Sequence, residues 1–168
     1  FKEGGSNPAI RTLLIQSQYL AGDYAGAARE LTAEIQAAEK GGTAPGQDRL
    51  NLLLNAAAQL KDTNATVFAL ERLVTYFPKK EYWVDLLSRM QRKPGFSDRL
   101  VLDTYRLSLA TGSLSSAADF MEMGQLALQA GNEEEARQVV DKGFAADVLG
   151  NGAEAERHKR LRDLVARK

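Results

Sequence analysis

His158 is the single imidazole of the chain, set in the basic stretch Arg157-His158-Lys159-Arg160-Leu161-Arg162. A histidine can act as general base or metal ligand, but a metal site needs several donors at fixed spacing, and no second histidine or cysteine accompanies it. Its side chain is therefore expected to be solvated on a polar helix face. Glu133-Glu134-Glu135 offers three consecutive carboxylates, raw material for a hard-cation site. The same three residues suit the first turn of a helix, whose unpaired N–H groups favour negative charge, and that is the reading preferred. Gly150-Asn151-Gly152-Ala153-Glu154-Ala155 fits the loose dinucleotide pattern G-x-G-x-x-A, yet no strand signal precedes it. Gly41-Gly42-Thr43-Ala44-Pro45-Gly46 lacks the Gly-Lys-Ser/Thr of a phosphate loop, and Tyr82-Trp83, a conceivable stacking pair, reads better with Trp83 in a core. No catalytic residue, no metal site and no cofactor is expected.

Composition narrows the class further. The chain has 168 residues, 44% hydrophobic and 26% charged, enough for a real core. Lysine plus arginine equals aspartate plus glutamate, 22 against 22, so the molecule as a whole has no electrostatic pull toward nucleic acid or an anionic membrane. Cysteine is absent, which excludes disulfides and thiolate chemistry. The longest apolar run, Arg49-Leu50-Asn51-Leu52-Leu53-Leu54-Asn55-Ala56-Ala57-Ala58-Gln59-Leu60, is interrupted by Asn55 and Gln59 and is well short of the roughly 20 residues that span a bilayer.

The elements that would position these residues are helices throughout. Apolar residues recur with a period near 3.6 and no segment alternates with period two. Ile10, Leu13, Leu14, Ile15 and Leu20 stripe a first helix that Gly22 ends; Asp23 caps a second with Ala27, Leu31 and Ile35 inward. A third runs from Leu50 to Leu60 and is apolar on nearly every face. A fourth carries Phe68, Leu70, Leu73, Val74 and Phe77 and stops at Pro78. Trp83, Leu86, Leu87 and Met90 mark a fifth. A sixth, capped by Ser97 or Asp98, groups Leu100, Val101, Tyr105 and Leu109. Phe120, Met123, Leu126, Ala127 and Ala130 point inward from a seventh, and Ala136, Val139, Val140 and Phe144 from an eighth. The last segment has one narrow stripe, Ala155, Leu161, Leu164 and Val165. Two corners are written alike, Ala21-Gly22-Asp23 and Ala130-Gly131-Asn132, each followed five residues after the glycine by an alanine, Ala27 or Ala136. The glycine supplies a left-handed helix end, the Asp or Asn a cap, and the alanine a close crossing. Gly42 reads instead as an ordinary loop glycine.

On these residues the chain resembles the tetratricopeptide repeat family, whose unit is a helix-turn-helix of about 34 residues with W-x2-L-G-x2-Y on its first helix. In the last pair Phe120 stands for the aromatic, Met123-Gly124 for the Leu-Gly step, Ala127 for the tyrosine, Gly131-Asn132 for the turn and Ala136 for the alanine. The first pair matches at Leu14, Gly22-Asp23-Tyr24 and Ala27, with Arg11 where the aromatic belongs. The third fits at Trp83, Leu86 and Leu87, with Lys93-Pro94-Gly95-Phe96 in place of the turn. The second keeps Ala56-Ala57 and Ala69, with Asn64 at the corner. The resemblance implies an all-α, tetratricopeptide-like superhelix of about four pairs, 8–40, 47–78, 79–112 and 115–149, closed by a capping helix over 153–168, in one repeat domain. The segments 82–87, 98–107 and 157–164 also resemble the C-terminal part of longer exported bacterial repeat proteins, which implies a periplasmic or other cell-envelope location, with the cytoplasm as the alternative. The wide apolar arc of the first helix, with a helix-exit signal in 1–5, carries the expectation of further repeats upstream and of an apolar patch at Phe1, Ile10 and Leu14.

The family's first helices line a concave groove, so the polar residues off their apolar stripes are the expected partner-binding set: Thr12, Gln16 and Tyr19; Asn51, Asn55 and Lys61; Asp85, Ser88 and Gln91; Glu122, Gln125 and Gln129. The set is neutral and rich in amides. It lacks the lysine-then-asparagine clamp with which some members hold a chaperone's carboxylate tail; Arg11 and Ile15 stand in those places. The expected function is a non-catalytic protein–protein interaction scaffold taking an extended or helical partner segment. The alternatives are a structural spacer, or contact with an anionic surface or nucleic acid through the basic last helix, nucleic acid being the less favoured.

Overall fold

The computed structural model describes residues 7–167. Among them there is no strand, and the helices are α1 Pro8–Leu20, α2 Tyr24–Lys40, α3 Gln47–Leu60, α4 Thr63–Tyr76, α5 Lys80–Gln91, α6 Val101–Ala110, α7 Ala117–Gln129, α8 Glu133–Ala145 and α9 Ala155–Ala166. The protein is all-α, and consecutive helices pack on one another from α1 to α4 and from α6 to α9, compatible with a helical repeat. Two compact units divide it, Phe1–Leu86 and Leu87–Lys168. No helix among the described residues is long and apolar enough to cross a membrane.

The chain turns its corners by one device. At Asp23, Thr43, Asp62, Ser113, Asn132 and Val148 the backbone N–H returns to the carbonyl five residues back, at 2.8 to 3.0 Å, closing the helix end over a left-handed residue. That residue is Gly22, Gly42, Gly112 or Gly131 at four of these ends, and Lys61 or Asp147 at the other two. Gly42 is therefore a helix end of the same kind as Gly131 (φ 73° and 78°), not an ordinary loop glycine. The second pair also turns earlier than expected. Lys61 is the left-handed residue, Asp62 caps α4 by accepting from Ala65 N–H at 3.0 Å, and Asn64 already lies inside the helix. Asp23 caps α2 through Gly26 N–H at 2.8 Å, whereas Asn132 holds the cap position of α8 with its backbone only.

In the first unit α1 packs on α2, α2 on α3 and α3 on α4. Ile15, Leu31, Ile35, Leu50, Leu53, Leu70 and Leu73 are buried at the centre, and Ala27, Ala56, Ala57 and Ala69 lose their surface entirely, so helix backbones come close where the side chain is one methyl. Each fully buried leucine or isoleucine contributes about 1.5–3 kcal/mol by leaving water. Trp83 and Tyr82 pack half-buried against this core. The first helix contributes little more than Ile15: Ile10, Leu13, Leu14 and Leu20 remain 44 to 86% exposed. The expected apolar patch is present at Ile10 and Leu14, while Phe1 and the helix exit over 1–5 lie outside the described residues, as does Lys168 of the last helix.

In the second unit Phe120, Met121, Met123, Ala127, Ala136, Val139, Val140, Leu149, Leu161 and Val165 form the core. Glycine 124 lets α7 lie against two neighbours, because a Cβ there would stand 2.9 Å from Val140 Cγ2 and 3.4 Å from Leu161 Cδ2. Three expectations are corrected here. Asp98–Leu100 is a single 3-10 turn ahead of α6, with Leu100 N–H on the Ser97 carbonyl, and it leaves Leu100 outside the core; Leu102, Tyr105 and Leu109 pack inward instead. Ala130 is the exposed end of α7 rather than a core residue. His158 is buried, not solvated, with 4% of its surface exposed.

Candidate functional site

The residues expected to bind a partner separate into those whose side chains are engaged within the fold and those left open. In the first unit Thr12 takes a hydrogen bond from Arg49, which also pairs with Glu34 at 3.1 Å. Tyr19 stacks edge-on against Tyr24 with ring centres 5.2 Å apart. Asn51 Oδ1 accepts from the Tyr82 hydroxyl at 3.2 Å, and that hydroxyl in turn accepts from Gln47 Nε2 at 3.2 Å. These three therefore hold helices together. Gln16 and Asn55 are exposed, and Lys61 sits on the left-handed corner rather than on a helix face. On α5, Asp85 and Gln91 are half-buried and Ser88 accepts from Arg92, just past the helix end.

The second unit brings three of the expected residues into one place. Glu122, Gln125 and Gln129 share a face of α7 and line a cleft of about 680 Å³. Ala117, Ala118, Met121 and Leu126 of the same helix give that wall its apolar part; Asn151, Ala153, Glu154, Arg157 and His158 form the opposite wall. The cleft exists because the segment between α8 and α9 is folded firmly. Gly150 takes a left-handed conformation (φ 91°) with the Phe144 ring where a Cβ would stand, at 2.7 Å. Its N–H donates to His158 Nδ1 at 3.1 Å, and Asn151 Nδ2 donates to the Asp147 carbonyl at 2.9 Å. The Gly-Asn-Gly stretch thus builds a loop pinned by a buried histidine, and its glycines serve the turn rather than a pyrophosphate.

The second wall escaped sequence reasoning, though a signal was there. His158, Leu161 and Val165 are spaced by three and four, one stripe of α9, and all three are buried. Reading the histidine as part of the basic run hid that spacing.

The cleft's ionisable groups are largely matched. Arg157 and Glu154 lie 3.4 Å apart, and His158 Nδ1, as an acceptor, leaves the ring proton on Nε2. Burial first, then the neighbouring Glu122 carboxylate, raises the Tyr105 phenol of α6 well above its ordinary value, so it remains a donor. Beside the cleft, Arg106 grips Glu135 through both oxygens at 2.7 and 2.6 Å, tying α6 to α8, and this bond lowers the Glu135 carboxyl below its usual range. The three acidic residues opening α8 are thus partly accounted for by local partners: Glu135 by Arg106, and Glu134 by Arg137 and Gln138. No group of three potential metal ligands occurs among the described residues.

The sequence matches no family model, and no curated protein matches it.

Proposed function

We propose that the protein is a tetratricopeptide-type, non-catalytic interaction scaffold of the bacterial cell envelope, and that it holds a segment of a protein partner against the amide-bearing face of α7. One observation carries this reading. Glu122, Gln125 and Gln129, chosen as groove residues, open into a single cleft with a rigid second wall. Side-chain amides carry a donor and an acceptor each, the complement of a peptide group, and so suit a ligand recognised through its backbone. The Met123-Gly124 step supports the family reading physically, since Gly124 is where α7 meets both α8 and α9.

Contact with an anionic surface through α9 is the weaker reading. Arg157, Lys159 and Arg162 face Glu154, Glu156 and Asp141 at 3.4, 2.9 and 3.4 Å, which lowers the field that helix presents.

The test is affinity capture from an envelope extract on immobilised protein, comparing the natural chain with Gln125→Ala/Gln129→Ala and with Gln36→Ala, an exposed position on α2. A partner retained by the natural chain and by Gln36→Ala but lost by the double variant is the expected result. Equal capture by all three would sink the reading.

A further inference from the structure

The dimensions and charge of the α7 cleft specify its occupant more closely; the inference rests on the binding role proposed above. Its wall runs from Ala117 to Gln129, twelve steps of about 1.5 Å, or about 18 Å. Spread over that length, 680 Å³ leaves a section of roughly 38 Å². A helix about 10 Å across needs roughly 80 Å². An extended chain, spaced about 4.8 Å from its neighbour in a sheet and about 10 Å between sheets, needs roughly 48 Å², and at about 3.3 Å per residue five residues span the wall. The section is smaller than either and lies nearer that of an extended chain, which the open cleft would hold with one edge in solvent.

Charge adds a second constraint. Of the ionisable groups lining the cleft, Arg157 and Glu154 pair with each other, and His158 is held with Nδ1 as an acceptor. Glu122 has no cationic partner among the described residues; it stands exposed on the cleft face of α7. No lysine or arginine occurs in α7, while Asp119 stands one turn before Glu122, and Arg106 of α6 is committed to Glu135 and Asp103. A carboxylate without a cationic partner on the wall of a cleft, under a negative local field, selects a cation.

We propose that the cleft takes an extended peptide segment of about five residues that carries a lysine or arginine, whose charged end meets Glu122 while Gln125 and Gln129 pair with the backbone.

The experiment uses three acetylated, amidated hexapeptide pools, with Lys, Gln or Glu fixed at the third position and an equal mixture of Ala, Ser and Val elsewhere. Each is titrated into the full isotope-labelled chain while the amide shifts of Gln125 and Gln129 are followed. The Lys pool is expected to bind roughly tenfold more tightly than the Glu pool at low salt, the difference shrinking as ionic strength rises. Glu122→Gln, which removes the charge and keeps the shape, is expected to abolish the preference between the Lys and Glu pools. Equal binding of the three pools, or a preference that survives Glu122→Gln, overturns the charge selection and leaves the binding role standing. Absence of any shift at Gln125 and Gln129 with every pool overturns both.

Discussion

Among the described residues, the helices α1 and α9 are both covered from one side only, and they meet that situation in opposite ways. Three buried side chains, His158, Leu161 and Val165, face inward from α9, and its outer surface is filled with charges that find partners one turn away. In α1 only Ile15 is buried, and four large apolar side chains face outward. The sequences explain the difference. In α9 the buried residues fall on one narrow stripe and only Leu164, expected on it, is left 49% exposed, whereas the apolar residues of α1 occupy positions 10, 13, 14, 15 and 20, an arc wider than one neighbour can cover. An apolar stripe on one face makes a finished surface. An apolar arc leaves a face open to a further contact.

The largest expected effect tests that contrast directly. Leu161→Ala should destabilise the second unit by about 2–4 kcal/mol, while Leu13→Ala, already 65% exposed, should change stability by no more than about 0.5 kcal/mol. Urea unfolding read by circular dichroism measures both, and similar costs would erase the distinction. Next comes His158→Leu, which keeps an apolar filling but leaves the Gly150 N–H without its acceptor. A loss of about 1–3 kcal/mol is expected, with faster amide exchange over 147–154; protection unchanged at Gly150 would show that the histidine is not the pin.

The corners of the two units differ in the same spirit. Gly131→Val places a branched side chain at positive φ and should cost about 1–2 kcal/mol, and Gly42→Val a similar amount. Lys61→Gly should do the reverse and stabilise by roughly 0.5–1 kcal/mol, since a non-glycine residue already bears the left-handed strain there. Thermal melts of the three variants decide it.

Smaller still is the pH dependence of the Arg106–Glu135 pair. Its Glu135 carboxyl is depressed in the folded state, so its stabilisation is complete above the ordinary carboxylate range and is lost as pH falls through the depressed value. Solvent screening limits it to a few tenths of a kcal/mol. Glu135→Gln should flatten that part of the stability profile below about pH 5; an unchanged acid limb would mean the pair contributes nothing. Last, the open face of α1 should bind a hydrophobic dye, and Leu13→Glu should reduce the fluorescence without moving the unfolding midpoint.

Most of the fold was legible because helical period and corner chemistry are local. Pro8 after Asn7, the Gly22-Asp23 turn and the Gly131 corner each declare themselves within a few residues. What was missed depended on partners distant in sequence or on a competing local pattern. Leu100 carries an apolar side chain but belongs to a 3-10 turn, so it leaves the stripe that its spacing suggested. Lys61 occupies a position that glycine usually signals. Of the site, the α7 wall could be read from polar residues off an apolar stripe. The opposing wall was signalled only by the spacing of His158, Leu161 and Val165, which the surrounding charges masked, and the hydrogen bond that places it runs between Gly150 and His158 across eight residues. Thr12 and Asn51 show the reverse error: polar residues off the stripe can serve the fold itself.

Gly124 has a further consequence. It lines no part of the cleft, yet it sets how closely α8 rests on α7, since a methyl group there would stand 2.9 Å from Val140 Cγ2 while Leu161 Cδ2 of α9, at 3.4 Å, would be barely touched. Val140 belongs to the same buried core as Leu161 and Val165, beneath the stripe that carries His158. The glycine therefore works as a spacer gauge between two helices: adding one carbon at a position no ligand touches would push on the core from which the cleft's second wall is hung.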